Sequence, residues 1–372
     1  MGGAQHVIYE IVKHLDYSKY KATIICTDGR VYSLLEEQMI KESVGNYSII
    51  FLKNHDFIRI QTNNKLFNKI INRIRRIALD LIIIPEFINE LKRTKPDIIH
   101  AHQRGIWAAY WAIPHGIPIV TTIHTNPSAA FLPETESFIF KTSLLLRRNI
   151  LIAISRYNAE FIKAYWHLSN TPVFQINNGI ELRNYYHKPH KLFAFINVSR
   201  HDVNKNQSLI LRALARLHYE NTTIPMKLYL VGHGITHDAL KQEAAELGIA
   251  ALVEFTGYII SAAEYLAISD VYISSSHREG LPLSVLEAMA AKLPVIATDV
   301  GGVRDLAQEN GILIADDNEE ALYEAMKKLR DNDDLRKLLG EKSLCMVQEY
   351  SVSAMTAQYY AIFDEFAKKS KP

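Results

Sequence analysis

The sequence predicts an α/β protein of two lobes, each a doubly wound parallel sheet covered by helices on both faces. Apolar strand-like segments alternate with amphipathic helix-like segments almost throughout the chain, a pattern typical of parallel sheets. The alternation restarts after a polar stretch over 177–191, and 372 residues are enough for two cores. We therefore expect a first lobe over 1–176, a second over 177–350 and a final amphipathic helix within 351–372.

The strands are predicted from short apolar runs that contain no breaker. In the first lobe a helical stripe runs from Val7 to Leu15, and strands are predicted at 22–26, 47–52, 97–102, 117–124 and 150–155. In the second lobe strands are predicted at 193–199, 227–232, 270–276 and 294–298.

The composition argues against several classes of partner and location. A formal net charge of +2 gives no electrostatic argument for nucleic acid. Cys26 and Cys345 lack metal-ligand spacing, which fits a reducing cytoplasm. No segment approaches the apolar length of a membrane span, and the first residues do not resemble a signal peptide. We therefore expect a cytoplasmic location.

Glu279 and Glu287 lie eight positions apart in a predicted strand–loop–helix unit. The strand at 270–276 leads to Glu279, and a helix predicted over 284–292 holds Glu287 in its first turns. Backbone amides of the loop 280–283 should face a crevice, where a helix N-terminus favours an anion. This arrangement suits a sugar nucleotide. The alternative is that Glu287 only complements the helix dipole and Glu279 is a solvated loop residue.

The string around both glutamates, HREGLPLSVLEAMAAKLPVIATDVGG, resembles the signature of retaining family-4 glycosyltransferases of the GT-B fold, the group 1 type. That signature is a Glu, seven residues and a second Glu. The resemblance runs from Gly2 to about Asp305 and is strongest in the second lobe. It implies two Rossmann-like lobes facing a cleft, with a nucleotide-sugar donor on the second and an acceptor on the first. It also implies a C-terminal helix that crosses back to the first lobe.

A loop with two cations, in the string VSRHDVNKNQ, follows a predicted strand of the second lobe. Arg200 and Lys205 lie five positions apart in this loop. A leaving diphosphate develops negative charge, so two fixed cations aimed at it stabilise the transition state more than the ground state. The resemblance assigns that catalytic role to both residues. The alternative is a pair of ordinary solvated loop cations.

Further donor contacts are implied by the resemblance at the ends of neighbouring strands. Gly232, in the string VGHG, allows close approach of backbone to a ligand. The stretch 255–259 matches family backbone that meets the nucleobase, with an ordinary strand end as the alternative. Glu279 would bind sugar hydroxyls near the reacting centre. The substrate-binding residues implied are Gly3, Arg200, Lys205, Gly232, Tyr258, Ile259, Gly280, Leu281, Pro282, Leu283 and Glu287.

His100 and His102 end the strand at 97–102 on the same side of the sheet. In the family the second histidine of this pattern lies by the donor sugar, so the resemblance assigns a catalytic role to His102. Its imidazole could hydrogen-bond a sugar hydroxyl or a phosphate. His124 ends the adjacent strand and is a weaker candidate, with a structural hydrogen-bond role as the alternative. Gly3 belongs to a stretch that resembles the family's first Gly-rich loop.

The only D-x-D string of the chain lies at 331–334, between two predicted helices. Metal-dependent glycosyltransferases need a carboxylate pair to hold a divalent ion, but a helix-capping turn explains this string better. Because Arg200 and Lys205 can neutralise the diphosphate, we expect catalysis without a metal or any other cofactor.

The segment 65–93 predicts a basic amphipathic helix, with Lys69, Arg73 and Arg76 on one face. Such a helix can lie on anionic lipid, and family members with lipid-linked acceptors bind membranes in this way. A core-packed helix with a solvated outer face is the alternative. Peripheral contact with the inner face of the membrane is therefore a hypothesis.

Together these features predict a retaining, metal-independent hexosyltransferase that moves a sugar from a nucleoside diphosphate to a hydroxyl of a glycan or lipid-linked acceptor. The expected context is cell-surface polysaccharide or lipopolysaccharide biosynthesis. An inactive GT-B scaffold, a sugar-nucleotide sensor and a GT-B epimerase are rival hypotheses. A Rossmann oxidoreductase is disfavoured because VGHG lacks a third spaced glycine.

The first lobe lacks a predicted first strand. A doubly wound lobe begins with a strand that leads into the Gly-rich loop, yet Gly2 and Gly3 follow the first Met directly. Family members carry an apolar strand before this loop. A start codon assigned too far downstream and a shortened protein are the two explanations.

Overall fold

The structure is a computed structural model that describes residues 3–26, 47–52, 83–102, 106, 109–125, 142–144, 149–168, 171–220 and 224–369. The chain divides into two compact units. The N-terminal unit consists of Gly2–Ala153, Ile162–Phe174 and Gln358–Pro372. The C-terminal unit consists of Ile154–Phe161 and Gln175–Ala357.

The N-terminal unit contains two sheets among its described residues. Strands β1 (Ala22–Cys26) and β2 (Tyr47–Phe51) pair in parallel. The second sheet has four strands in chain order, which are β3 (Ile99–His102), β4 (Ile119–Ile123), β5 (Asn149–Ala153) and β6 (Val173–Gln175). Every residue of β4 and β5 is buried, so these two strands form the centre of the unit.

The C-terminal unit contains one sheet of six strands in the order β12–β11–β10–β7–β8–β9, paired in parallel throughout. The strands are β7 (Phe193–Val198), β8 (Met226–Val231), β9 (Val253–Gly257), β10 (Val271–Ser274), β11 (Val295–Thr298) and β12 (Gly311–Ile314). Helices cover the sheet, and their apolar faces share one buried core with the strands. A parallel sheet of this kind presents all its carboxyl ends on one edge.

The helices with described bounds follow the same alternation. They are Gly3–Lys13, Arg156–Trp166, Gln207–Tyr219, His237–Glu246, Ala263–Ala267, Leu283–Ala290, Val303–Ala307, Glu319–Asp331, Asp333–Met346 and Val352–Lys369. Residues 83–94 are also helical. The predicted α/β fold class is confirmed, and the predicted strands agree with the observed ones within two residues at each end. β6, β9 and β12 were not predicted as strands. β6 has only 3 residues, β12 begins with a glycine, and β9 overlaps the stretch 255–259, which was singled out only for its family match.

The final helix, Val352–Lys369, begins in the C-terminal unit and belongs to the N-terminal unit from Gln358 onward. Its side chains Tyr359, Ile362 and Phe363 are buried. The predicted crossing helix is therefore confirmed. In the described residues β1 and β3 belong to separate sheets. The predicted missing first strand and the predicted lobe boundaries stay predictions.

Candidate active site

The carboxyl ends of β7 and β10 meet where the strand order of the C-terminal sheet reverses. β7 comes first in the chain but lies between β8 and β10, so the later strands are added on its other side. Open α/β sheets bind ligands at such switch points, outside the carboxyl ends of the strands. The loop after β7 carries Arg200 and Lys205, and the loop after β10 carries Glu279. Three predicted catalytic residues thus lie at this edge.

An ion pair joins these two loops. Lys205 Nζ donates to Glu279 Oε1 over 2.6 Å. Only 22% of the lysine side chain and 11% of the glutamate side chain are exposed. Salt screens partly buried charges only weakly. The attraction between the ammonium group and the carboxylate therefore orients both side chains. The solvated-loop alternative is therefore wrong for the side chains of both residues.

Arg200 is held differently, since 67% of its side chain is exposed and its Nε donates to Asp202 Oδ2 over 2.6 Å. The Asp202 side chain also accepts from the backbone N–H of Lys205 and begins the 3-10 turn Val203–Lys205. One carboxylate therefore orders the loop that carries both cations. The sequence analysis did not single out Asp202, although an Asp before a short turn is a familiar capping signal.

Further hydrogen bonds tie the β7 loop to the β10 loop. Ser275 Oγ donates to the Lys205 carbonyl oxygen over 2.8 Å. Asn204 Nδ2 donates to the Arg278 carbonyl oxygen over 3.0 Å. These partners lie 70 and 74 positions apart in the chain. No local sequence pattern signals such pairs, so the sequence analysis missed both.

Glycines let the loops of this edge pack against one another. Gly301 has a φ of +58°, and a Cβ on it would overlap the carbonyl oxygen of Glu279. Its neighbour Gly302 donates its N–H to the Gly280 carbonyl oxygen over 3.0 Å. Gly232 has a φ of +136°, and a Cβ there would overlap the carbonyl oxygen of Ser199. Gly232 therefore lets the turn after β8 approach the β7 loop, and the expected approach of its backbone to a ligand stays a prediction.

The helix Leu283–Ala290 follows the Glu279 loop and begins at Pro282 without a side-chain cap. The first N–H groups of a helix form its positive end, which favours an anion. The side chains of Leu281 and Leu283 are buried, and the Leu281 carbonyl oxygen accepts from Asn178 Nδ2 over 3.0 Å. A ligand at this loop would therefore meet its backbone rather than these two side chains.

Glu287 is half-buried on the same helix. Burial raises the pKa of its carboxyl group to about 7, although a hydrogen bond with Tyr185 acts in the opposite direction. Glu287 is consequently close to half-protonated at neutral pH. Tyr185 lies in the polar segment 177–191, which the sequence analysis interpreted only as a linker. This segment therefore contributes a side chain to the site.

Tyr258 and Ile259 follow β9 at the same edge of the sheet, two strands away from β7. The backbone N–H of Gly232 donates to the Gly257 carbonyl oxygen over 3.1 Å and ties the turn after β8 to the end of β9. Tyr258 is exposed and Ile259 is half-buried. These residues therefore lie on the predicted edge, and their contact with a nucleobase stays a prediction.

The histidines of the N-terminal unit form a separate cluster. The rings of His100 and His102 lie 4.0 Å apart between centroids, which confirms that both point to one side of β3. His102 Nδ1 lies 2.8 Å from His124 Nε2. Burial lowers the pKa of all three, to about 3 for His100 and about 4 for His124. All three are therefore neutral at pH 7, and His124 serves as a hydrogen-bond partner of His102.

Tyr359 of the crossing helix contacts this cluster, with its ring centroid 5.0 Å from that of His100. His100 Nε2 lies 2.8 Å from Thr122 Oγ1, which in turn lies 3.2 Å from the hydroxyl of Tyr359. Gly3, the remaining predicted residue of this unit, is exposed at the start of the helix Gly3–Lys13. The structure thus distributes the predicted residues over two groups, one in each unit.

The D-x-D string caps a helix, as the sequence analysis predicted. Asn332 Oδ1 accepts from the backbone N–H of Leu335 over 2.9 Å at the start of Asp333–Met346. Asp331 pairs with Arg330, and Asp333 pairs with Lys337, each over 2.6 Å. Helix capping and ion pairing therefore account for these carboxylates.

The predicted membrane-contact segment falls mostly outside the described residues, because its basic face lies within 65–82. In the described part, 83–94, Phe87 and Leu91 pack in the core with Leu52 and Ala112. None of the helices in the described ranges combines the length and apolarity needed to cross a membrane. Membrane contact through 65–93 stays a prediction.

Two family models match consecutive parts of the chain. The model described as Glycosyltransferase Family 4 matches residues 1–184, and the model described as Glycosyl transferases group 1 matches residues 180–344. The first model covers the unit with the histidine cluster, and the second covers all the loops around Lys205 and Glu279. Together they account for nearly the whole chain.

Two curated relatives are similar to large parts of the chain. The N-acetylgalactosamine-N,N'-diacetylbacillosaminyl-diphospho-undecaprenol 4-alpha-N-acetylgalactosaminyltransferase of Campylobacter jejuni is 27% identical over 59% of this chain. The match spans 62% of that relative's own length, less than two thirds. The N-acetyl-alpha-D-glucosaminyl L-malate synthase of Bacillus anthracis is 24% identical over 78% of this chain and 81% of its own.

Solved structures show the same fold over almost the full length. A glycosyltransferase from Rickettsia africae gives a TM-score of 0.75 at 20% identity and covers 99% of this chain and 96% of its own. Anabaena HepE gives a TM-score of 0.76 at 18% identity, and the match covers 98% of this chain and 96% of the HepE chain. With both family models matched in order, the chain belongs to the family-4, group 1 glycosyltransferases and has the GT-B fold.

Proposed function

We propose that this glycosyltransferase moves a sugar from a nucleoside-diphosphate sugar to a hydroxyl of a glycan or lipid-linked acceptor, with retention of configuration and without a catalytic metal. The observation that carries the donor assignment is the Lys205–Glu279 ion pair at the switch point of the C-terminal sheet. HepE, which shares the fold, has been crystallised with UDP and with UDP-glucose. A sugar nucleotide is therefore the class of donor that we propose.

The acceptor class is proposed from the names of the relatives. The Campylobacter jejuni relative acts on a diphospho-undecaprenol glycan, and Rhizobium meliloti LpsE is a lipopolysaccharide core biosynthesis glycosyltransferase. The expected context is therefore the synthesis of a cell-surface polysaccharide or lipopolysaccharide. Contact of 65–93 with the inner face of the membrane would bring a cytoplasmic enzyme to such an acceptor.

In the proposed mechanism Arg200 and Lys205 neutralise the diphosphate as it leaves the sugar. Glu279 fixes Lys205 and accepts hydrogen bonds from hydroxyls of the donor sugar, while the backbone at 280–283 meets the phosphates. The acceptor oxygen attacks the anomeric carbon from the face that the diphosphate leaves. The acceptor proton passes to the leaving phosphate oxygen, so the products are a glycoside and a free nucleoside diphosphate. His102 is neutral, so it would contact the sugar as a hydrogen-bond partner rather than as a cation.

The proposal is tested by incubating the chain with a panel of sugar nucleotides and a lipid-diphosphate glycan acceptor, in the presence and absence of EDTA. We expect a product whose anomeric configuration by NMR equals that of the donor, at a rate that EDTA does not change. Inverted configuration or a requirement for added metal would overturn the mechanism. An epimerised sugar nucleotide would favour the epimerase, and donor binding without turnover of any panel member would favour an inactive sensor.

We also propose that Glu287 accepts hydrogen bonds from the ribose hydroxyls of the nucleotide, and replacing it tests this contact. We expect Glu287→Gln to weaken binding of the free nucleoside diphosphate by about 1.5–3 kcal/mol, the range for hydrogen bonds to a charged acceptor. Calorimetry at pH 8, where the wild-type carboxyl group is ionised, measures this difference. Glu309→Gln, on a residue outside the site, is the control. Unchanged affinity in Glu287→Gln would leave only the helix-dipole role.

The raised pKa of Glu287 also predicts how the stability of the ligand-free protein varies with pH. Because the folded protein binds this proton more tightly than the unfolded chain, the free energy of unfolding should fall as pH rises from about 4.5 to 7. We expect Glu287→Gln to be more stable than wild type by about 1–3 kcal/mol at pH 8. The difference should vanish near pH 4.5. Denaturant unfolding at both pH values checks this, and equal stability at pH 8 would contradict the shift.

A further inference from the structure

A second cluster of ligating side chains lies at the opposite edge of the C-terminal sheet. His187 and His190 belong to the segment 177–191, and Asp270 directly precedes β10. One atom of each side chain lies within 4.8 Å of the others. Glu279 follows the carboxyl end of β10, whereas Asp270 stands at its amino end. The cluster is therefore separated from the Lys205–Glu279 pair by the length of the strand, about 13 Å.

Both ring nitrogens of His190 face oxygen acceptors. Nδ1 lies 2.9 Å from the Lys188 carbonyl oxygen, and Nε2 lies 2.9 Å from Asp270 Oδ2. A neutral imidazole carries only one N–H, so one nitrogen would then direct its lone pair at an oxygen. The carbonyl of Lys188 can only accept, which assigns the N–H to Nδ1. Nε2 and Asp270 Oδ2 therefore face each other as two candidate ligand atoms, and a shared proton is the alternative to a metal ion.

The same geometry is found around metal-bound histidines. A ligating imidazole usually donates its other N–H to a backbone carbonyl or carboxylate, which orients the ring. Lys188 supplies that carbonyl for His190. Asp270 is likewise positioned, because its Oδ2 accepts from the backbone N–H of Ala194 over 2.8 Å. Two of the three side chains are thus already oriented by second partners.

His187 supplies the third ligand. Its ring centroid lies 5.3 Å from that of His190, and its side chain is exposed. Around a four-coordinate ion with bonds of about 2.0–2.2 Å, the ligand atoms lie about 3.4 Å apart. His190 Nε2 and Asp270 Oδ2, now 2.9 Å apart, would separate slightly to admit the ion, and the exposed His187 ring would turn towards it.

We propose that His187, His190 and Asp270 bind one divalent ion of the zinc class, with water completing a four-coordinate site. Two imidazoles and one carboxylate suit Zn²⁺, whereas Mg²⁺ and Ca²⁺ require a shell of oxygens. The ion would join the segment 177–191 to the amino end of the sheet. The proposed transfer mechanism takes no step through this ion.

The sequence analysis expected no metal, because it looked for ligands that are close together in the chain. His190 and Asp270 are 80 positions apart, and only the folded sheet brings them together. The segment has no cysteine, and its one carboxylate, Glu181, lies six positions before His187 and pairs with Arg183. The cluster therefore has no local sequence signature.

The test is a calorimetric titration of untagged, EDTA-treated and dialysed protein with ZnCl₂ at pH 7.5, together with melting temperatures at each ratio. We expect one site with a micromolar dissociation constant and an increase in melting temperature that saturates at one equivalent. His187→Ala should weaken binding at least tenfold, the lower end of the loss seen when a metal site is disturbed. Because the His187 side chain is exposed, this variant should keep the melting temperature of the metal-free wild type.

His115→Ala is the matched control, since His115 is exposed and lies in the other unit. It should bind zinc as the wild type does. MgCl₂ in place of ZnCl₂ should give no saturable heat. An affinity weaker than millimolar, or zinc binding that His187→Ala leaves unchanged, would overturn the proposal. The contact of His190 with Asp270 would then be an imidazolium–carboxylate ion pair.

Discussion

Replacing Lys205 with alanine is expected to lower turnover at saturating donor by about 10²–10³-fold, the loss typical of one group that stabilises developing charge. The lysine is aimed by its 2.6 Å ion pair with Glu279 and by the turn that Asp202 caps. Its removal takes away a fixed charge and leaves the Glu279 carboxylate without this partner. Steady-state kinetics with the identified donor measures the effect.

A second variant separates catalysis from folding. Lys205→Ala leaves a mostly buried carboxylate without its cation, which should cost about 1–3 kcal/mol of stability. Lys205→Gln keeps a hydrogen-bond donor for Glu279 and should retain more of that stability, yet its turnover should stay low because the charge is absent. Lys337→Ala is the matched control, since Lys337 also pairs with a carboxylate but is 71% exposed. Turnover of Lys205→Gln within threefold of wild type would show that Lys205 does not act on the diphosphate.

Gly301→Ala is expected to reduce transfer activity by about 10²-fold or more through displacement of Glu279. The added methyl group would overlap the Glu279 carbonyl oxygen, and a φ of +58° is unfavourable for alanine by about 1–2 kcal/mol. The Glu279 loop must shift to make room. A misplacement of about 1 Å is enough to cost 10²-fold in rate. Kinetics and the melting temperature of the variant, measured together, check the expectation.

Gly248→Ala is the control for the unfavourable backbone conformation alone. Gly248 has a similar φ of +69°, and a Cβ built on it would meet only the end of the exposed Tyr219 side chain, far from the Glu279 loop in the chain. Both variants should lose a comparable amount of stability from the positive φ, and only Gly301→Ala should lose most of its activity. Equal activity in the two variants would mean that the overlap at Gly301 is relieved without movement of Glu279.

Local patterns were enough to predict most of the fold. The apolar runs at 193–199 and 270–276 correspond to β7 and β10, because buried parallel strands require continuous apolar sequence. Short elements were missed, since a three-residue strand such as β6 contains too few side chains to show a period. The tail at 351–372 was placed correctly because an amphipathic period identifies a helix without reference to its partner.

The candidate site was predictable only in part. Glu279, Arg200 and Lys205 were singled out because each follows a strand, where a parallel sheet collects its ligand contacts, and because the family resemblance assigned roles to them. Their mutual geometry was not predictable, and neither was the contact of Tyr185 with Glu287. Sequence spacing indicates which edge a residue occupies. It does not show which side chains meet across that edge.

The sequence by itself determined the two-lobed parallel architecture, the strand-end positions of the predicted residues and the family. Tertiary structure alone decided that Glu279 pairs with Lys205, that Gly301 makes room for the Glu279 backbone, and that His190 meets Asp270. The physical reason is the distance along the chain over which each effect acts. Periodicity and turn chemistry act over a few residues, whereas ion pairing, burial and steric overlap depend on distances between residues that the chain separates by 20 to 80 positions.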